Sequence, residues 1–132
     1  MTAVFAAALP HILMEIGVIG MKDFPAFMRS PANRVDPSQQ NTQDIDGYYY
    51  TANDGSQMAF WACYADRESA EHRHDFDEYM VCVSGQYTVI MDGGEIILNP
   101  GDELCIPRGT LQGGRCTAGT RTIHAFGGKR VG

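Results

Sequence analysis

Basic residues, closely spaced cysteines and long apolar runs are scarce or absent in this sequence of 132 residues. Ten lysines and arginines stand against 16 aspartates and glutamates, which gives a formal net charge of -6. Because nucleic acids and anionic membranes bind basic surfaces, we expect neither as a partner. No stretch is long and apolar enough to predict a membrane-spanning helix. The length, without any internal repeat, predicts a single domain built on one core.

The first 20 residues are largely apolar but lack the basic start and the processing site of a secretory signal. We therefore expect a cytoplasmic protein. Two interpretations of this segment stay open, a helix packed across the domain or an extension from it. The stretch that follows is polar and contains several prolines. Residues 1–46 are thus predicted to form an N-terminal arm and loop, and residues 47–132 the folded β-domain.

The four cysteines, Cys63, Cys82, Cys105 and Cys116, are widely spaced and contain no CxxC pair. This spacing argues against a zinc-thiolate site. Because no secretory signal precedes them, we expect all four to be reduced and to behave as small apolar groups. Counting alternate positions from Glu78 places Cys82 on the inward face of its strand.

Short runs of β-branched and aromatic residues, separated by glycine, proline, asparagine and aspartate, predict an all-β fold. The predicted strands cover residues 48–51, 58–64, 79–83, 86–91, 95–98, 103–106 and 120–126. The first two are rich in tyrosine, phenylalanine and tryptophan. Core packing is the simplest role for these aromatics, and a ligand cavity or a subunit interface are the alternatives.

Metal-ligating residue types cluster in the sequence HRHDFDE at positions 72–78. In an extended segment alternate side chains share a face, so His72 and His74 are predicted to point together. Glu78 lies four residues beyond His74, an even offset that can return it to the same face. Two imidazoles and one carboxylate suit iron, zinc, manganese or nickel, and they leave coordination positions open for water or substrate. The pattern predicts a divalent transition-metal site.

His72, His74, Glu78 and Gly85 form a first motif of HxH, a glutamate and a later glycine, and Gly101, Pro107 and Gly109 form a second motif, G-x5-PxG. These two motifs resemble those of the cupin family, whose second motif reads G-x5-PxG-x2-H. Gln112 stands where the second motif has its histidine. The resemblance covers roughly residues 47–126 and implies a double-stranded β-helix barrel.

The resemblance implies a metal inside one end of the barrel, held by His72, His74 and Glu78, with Gln112 completing or flanking the shell. An amide oxygen can bind such a metal, although it is a weaker donor than an imidazole. The alternative is that Gln112 hydrogen-bonds a metal-bound water or a substrate. His124 would supply a third imidazole if its side of the last strand faces inward.

The resemblance further implies a small metalloenzyme that acts on a small polar organic molecule, as an oxygenase, isomerase or lyase. Two histidines and one carboxylate match the facial triad of non-haem iron oxygenases. A non-catalytic module that binds a metabolite or a metal is the alternative. The arm and the surplus of aromatics also lead us to expect a homodimer. Candidate acid-base groups are Glu103, Tyr87, Cys82 and His124, and candidate clamps for an anionic substrate are Arg108, Arg115 and Arg121.

Overall fold

The structure, a computed structural model, describes residues 21–132. The predictions made for residues 1–20 lie outside the described residues. Three short 3-10 helices, Ala26–Arg29, Pro31–Asn33 and Pro37–Gln39, precede the first strand. No helix within residues 21–132 reaches the length and apolar character needed to cross a membrane.

Nine β-strands make up the rest of the described chain and confirm the predicted all-β fold. The strands are β1 (Ile45–Thr51), β2 (Gln57–Cys63), β3 (Arg67–Glu68), β4 (Glu78–Ser84), β5 (Tyr87–Met91), β6 (Gly94–Leu98), β7 (Glu103–Ile106), β8 (Gln112–Cys116) and β9 (Arg121–Phe126). Five of them form one sheet in the order β1-β2-β9-β4-β7, and four form a second in the order β3-β8-β5-β6. Every pairing between neighbouring strands is antiparallel.

The hydrophobic core lies between the two sheets. Met80, Cys82 and Ile106 come from the five-stranded sheet, and they pack against Val89 and Leu98 of the other. Each of these side chains is at most 3% exposed, a degree of burial that contributes about 1.5 to 3 kcal/mol for a large aliphatic residue. The prediction that Cys82 faces inward is confirmed.

The register of the five-stranded sheet brings Glu78 and His124 together. Glu78 pairs with Phe126, and Met80 pairs with His124, on the adjacent strands β4 and β9. Alternate residues of each strand face the interior, so Glu78 and His124 are diagonal neighbours on the same inward face. This geometry depends on pairing between segments more than 40 residues apart.

The segment that carries the two histidines runs along the edge of the smaller sheet. After β3 has paired with β8, Ser69 donates its backbone N–H to Gly114, and His72 and Gln112 exchange backbone hydrogen bonds of 2.8 and 3.0 Å. His72 therefore lies directly opposite Gln112 as an isolated bridge rather than inside a regular strand. The two cupin-like motifs meet at this point.

The turn after β4 requires glycine. Gly85 has a φ of +75°, and a Cβ placed on it would lie 2.6 Å from the Cα of Thr120. A larger residue would be strained by its backbone conformation and would also collide with the neighbouring chain. The turn between β4 and β5 can therefore pack directly against the segment that leads into β9.

The expectation that all four cysteines are reduced is wrong for two of them. Cys63 at the end of β2 and Cys116 at the end of β8 form a disulfide that joins the two sheets. Their Cα atoms lie 6.8 Å apart. Sequence spacing could not reveal this pair, because the ends of β2 and β8 meet only after both sheets have formed. Cys82 and Cys105 carry free thiols.

Candidate metal centre

Three potential metal ligands converge at one end of the space between the sheets. One donor atom from each of His72, His74 and Glu78 lies within 4.8 Å of the other two. The two imidazole rings are 4.7 Å apart at their centroids, and Nε2 of His74 lies 3.4 Å from Oε1 of Glu78. The predicted common orientation of these side chains is therefore present in the fold.

Glu78 is buried and held by hydrogen bonds on both of its oxygens. Nδ1 of His124 lies 2.7 Å from Oε2, and the amide nitrogen of Gln112 donates to Oε1 at 3.1 Å. Burial alone would raise the pKa of Glu78, but the hydrogen bonds from His124 and Gln112 outweigh this effect. The net effect lowers the pKa, so Glu78 is an oriented carboxylate.

The imidazole of His74 lies in an apolar setting. It stacks on Phe76, with ring centroids 5.0 Å apart, and meets the ring of Phe126 edge-on. Burial lowers the pKa of His74 to about 4, and the charge of Glu78 only partly opposes this effect. At neutral pH His74 is therefore an uncharged imidazole, which is the form that binds a metal.

His72 is oriented by the backbone of its own segment. Its Nδ1 lies 2.9 Å from the carbonyl oxygen of Ala70, and a carbonyl can only accept a hydrogen bond. Nδ1 therefore carries the proton, and Nε2 keeps its lone pair. Together with His74 and Glu78 this gives a donor set that fits a divalent transition metal.

The candidate ligands line a cavity of about 80 Å³ between the sheets. A buried water needs roughly 10–15 Å³ of such space, so the cavity has room for several waters or for part of a small organic molecule. Its other lining residues are Asn41, Thr42, Ile45, Trp61, Cys63, Ser69, Tyr87, Gln112, Cys116, Thr120, Thr122, His124, Phe126 and Arg130.

A family model described as the cupin domain matches residues 60–129, which is more than half of the chain. The chain belongs to the cupin family. A search of curated proteins returned no significant match. The family resemblance predicted from the two motifs is confirmed by the match over residues 60–129.

Solved structures share the fold of this cupin at low sequence identity. KdgF from a Halomonas species is 18% identical, with 70% of this chain and 89% of that chain covered and a TM-score of 0.58. An RmlC-like cupin from Shewanella frigidimarina is 19% identical, with 71% and 92% covered and a TM-score of 0.58. The polyketide cyclase RemF from Streptomyces resistomycificus is 15% identical, with 81% and 79% covered and a TM-score of 0.62. At these identities the similarity shows the fold alone.

Gln112 and His124 both contact Glu78 in this cupin. The amide nitrogen of Gln112 points at the carboxylate, which leaves the amide oxygen as its only possible metal donor. His124 faces inward, but both of its ring nitrogens are engaged, Nδ1 with Glu78 and Nε2 with Thr122 Oγ1 at 2.9 Å. The two side chains thus contact different oxygens of Glu78.

The three other candidate acid-base groups lie in different parts of the fold. Tyr87 lines the cavity, where burial raises its pKa and keeps the hydroxyl protonated. Cys82 belongs to the hydrophobic core instead. Glu103 accepts a hydrogen bond from Tyr79 on the exposed side of the sheet.

None of the three arginines proposed as anion clamps lines the cavity. Arg115 pairs with Glu95 on the surface, and Arg121 is buried against Phe24 near the arm. Arg108 lies exposed in the turn before β8. The arginine that does line the cavity is Arg130, which follows the last strand. Sequence periodicity could not identify Arg130 as a lining residue, because the direction of a side chain beyond the last strand does not follow from strand alternation.

Proposed function

We propose that this cupin is a metal-dependent enzyme that acts on a small polar organic molecule. His72, His74 and Glu78 would hold one divalent transition metal, with iron, zinc, manganese and nickel as the candidates. The observation that carries the proposal is the convergence of these three donors within 4.8 Å at the wall of a cavity. When bound, the metal would supply Lewis-acid polarisation or redox chemistry at its open positions.

We propose that Gln112 supports the metal site by orienting Glu78. Its amide nitrogen donates to Glu78 Oε1, and this bond fixes the carboxylate opposite His124. Groups that orient a ligand in this manner commonly change metal affinity by 10- to 100-fold. This role replaces direct coordination as the interpretation of the residue that departs from the family motif.

Among the described residues that line the cavity, Tyr87 is the best-placed proton donor for a bound molecule. Its side chain lines the same cavity as the three ligands, and it donates no hydrogen bond to the protein within residues 21–132. Because burial raises its pKa, the phenol is protonated at neutral pH and can donate to an oxygen of a substrate. The engaged nitrogens of His124 make it a less suitable donor.

Metal reconstitution followed by a turnover screen tests this function. Protein stripped with a chelator is reloaded separately with iron, zinc, manganese or nickel, and each form is incubated with small organic acids and sugars. We expect turnover with one metal, its loss in Glu78→Gln, and at least about a tenfold decrease in Tyr87→Phe. Glu103→Gln is the matched control, since Glu103 lies outside the cavity.

The alternative function is a module that binds a metabolite or a metal without catalysis. The solved structures include a named enzyme, the polyketide cyclase RemF, but the shared fold alone does not assign a reaction to this chain. If the protein binds one metal ion per chain but none of the metal-loaded forms shows turnover, the binding module is favoured. In that case Tyr87→Phe should change ligand affinity only.

A further inference from the structure

The C-terminal tail delivers a guanidinium group to the cavity. After β9 ends at Phe126, residues 127–132 continue past the site, and Arg130 lines the same cavity as His74 and Glu78. Its Cζ lies 5.8 Å from the ring centroid of Trp61, in the range of a cation-π contact. The guanidinium is thereby placed against a rigid wall of the cavity.

A buried glutamine fixes the backbone on both sides of this arginine. The Oε1 atom of Gln57 accepts the N–H of Arg130 at 2.6 Å and that of Val131 at 2.8 Å. Its Nε2 atom donates to the carbonyl of Val131 at 2.9 Å. Gln57 and Val131 are each only 3% exposed. Such a clamp positions the Arg130 side chain before any ligand arrives.

Most of the hydrogen-bonding capacity of Arg130 is unused by the protein. Nη1 donates to the backbone carbonyl of Gln39 at 2.6 Å, and none of the other N–H groups of the guanidinium finds an acceptor within residues 21–132. No carboxylate of this part of the chain forms an ion pair with it. By contrast, surface arginines such as Arg34 and Arg115 are paired with carboxylates. Arg130 is half-buried, and every fully buried side-chain nitrogen and oxygen of the described residues has a hydrogen-bond partner, so the free N–H groups of Arg130 are open to solvent and available to a ligand.

The charges around the cavity favour a negatively charged ligand. Glu78 is the only carboxylate among the described lining residues, and its oxygens face His124, Gln112 and His74 rather than Arg130. One carboxylate cannot balance a guanidinium together with a divalent metal, so the loaded cavity carries a net positive charge. This local charge is opposite to the net charge of the chain, which is -6.

We infer that Arg130 is the recognition residue for a carboxylate group and that the ligand of the cavity is a small organic acid. The fork of guanidinium N–H groups matches the two oxygens of a carboxylate, while the rest of a small acid would extend toward Tyr87 and the histidines. The inference rests on the proposed function for the role of the metal, and it adds the chemical class of the substrate. The observation that supports the inference is that most guanidinium N–H groups of Arg130 have no acceptor within residues 21–132.

Binding of a matched acid and amide tests the inference. Glycolate and glycolamide have similar size and differ in the carboxylate, and each is titrated calorimetrically into metal-loaded and chelator-stripped protein. We expect wild-type protein to bind glycolate at least about tenfold more tightly than glycolamide. Arg130→Gln should remove this preference, and Arg130→Lys, which keeps the charge but not the fork, should retain part of it. Arg115→Gln is the surface control and should behave as wild type.

Metal content measured on every sample separates this inference from the proposed function. If Arg130→Gln keeps its metal and still prefers glycolate as strongly as wild type, the inference is overturned and the metal site stands. If wild-type protein holds no metal but shows an Arg130-dependent preference for glycolate, the carboxylate site stands and the proposed function fails. Should Arg130→Gln not fold, equal affinity of wild-type protein for glycolate and glycolamide would overturn the inference.

Discussion

The two carboxylate oxygens of Glu78 have different neighbours. Oε2 is bound by His124, whereas Oε1 faces His74 and receives the amide of Gln112. A metal approaching the two histidines would meet a carboxylate that is already oriented and ionised. Little reorganisation would be required, which favours tight binding.

Changing Gln112 tests whether the orientation of Glu78 matters. Gln112→Ala removes the donor to Oε1, so we expect metal affinity to fall by about tenfold. Gln112→His places an imidazole where the family motif has one, and we expect it to bind metal at least as tightly as wild type. Titration with Zn²⁺ measures both effects. Unchanged affinity in both variants would show that Gln112 neither binds the metal nor orients its ligand.

At the residue scale, local spacing predicted what lies close in sequence and missed what lies far apart. The common orientation of His72 and His74 follows from extended-chain periodicity, and a bend at residues 75–76 then brings Glu78 to the same side. The orientation of His124 could not be predicted, because either face of β9 was compatible with the alternation of its residues. Pairing with Met80 across β4 fixes that face. The position of Arg130 depends on the hydrogen bonds that Gln57 forms with the backbone of the C-terminal tail, and no local sequence pattern indicates these bonds.

At the scale of strands, the disulfide between Cys63 and Cys116 links β2 to β8. These strands belong to different sheets, and both cysteines line the cavity. The cross-link closes a loop with a sequence separation of 53 residues, which restricts the unfolded chain. It therefore holds the two walls of the cavity together at the ends of these strands.

Removing this cross-link should destabilise the protein. We expect Cys63→Ser to lower the free energy of unfolding by about 2 to 4 kcal/mol, as measured by denaturant titration. Cys105→Ser is the control, since Cys105 is exposed and unpaired, and it should leave stability nearly unchanged. Denatured but unreduced wild-type protein should show two reactive thiols. Four reactive thiols before reduction would contradict the disulfide.

The strands themselves were largely predictable, whereas their arrangement was not. Turn residues such as those at positions 53–56 and 92–94 mark the ends of apolar runs, and the observed strands fall between them. The strand β8 was also missed, because its sequence QGGRC contains two glycines and no β-branched or aromatic residue, and the two-residue strand β3 has too little sequence for any pattern. The order of strands in each sheet also escapes prediction, because it depends on contacts between distant segments.

At the scale of the whole molecule, an apolar surface remains at the edge strand β1. Tyr50 lies opposite Met58 on the neighbouring strand, and its hydroxyl reaches the carbonyl of Phe27 in the arm. These side chains are 41%, 46% and 76% exposed respectively. Contiguous exposed apolar side chains of this kind are typical of protein interfaces. The homodimer expected from the sequence stays a prediction, and this surface is where we expect the second copy.

Solution mass tests that prediction. Light scattering at micromolar concentration should report twice the chain mass for wild-type protein. Phe27→Ser combined with Met58→Ser should shift the protein toward monomer, because the substitutions remove apolar contact area. Ile97→Ser, which alters an exposed apolar residue on β6, is the control. A wild-type protein that is monomeric under these conditions would contradict the prediction.

The central claim is that His72, His74 and Glu78 form a metal centre, and the metal content per chain tests it most directly. Protein is purified without chelator, exposed to a divalent transition metal, desalted and measured by elemental mass spectrometry. We predict about one equivalent in wild-type protein and in the Glu103→Gln control, and nearly none when His72 and His74 are both replaced by alanine. The melting temperature of the double variant should be lower than that of metal-loaded wild-type protein, because the metal binds the folded state and stabilises it. Full metal content in the double variant, or none in wild-type protein, would contradict the account.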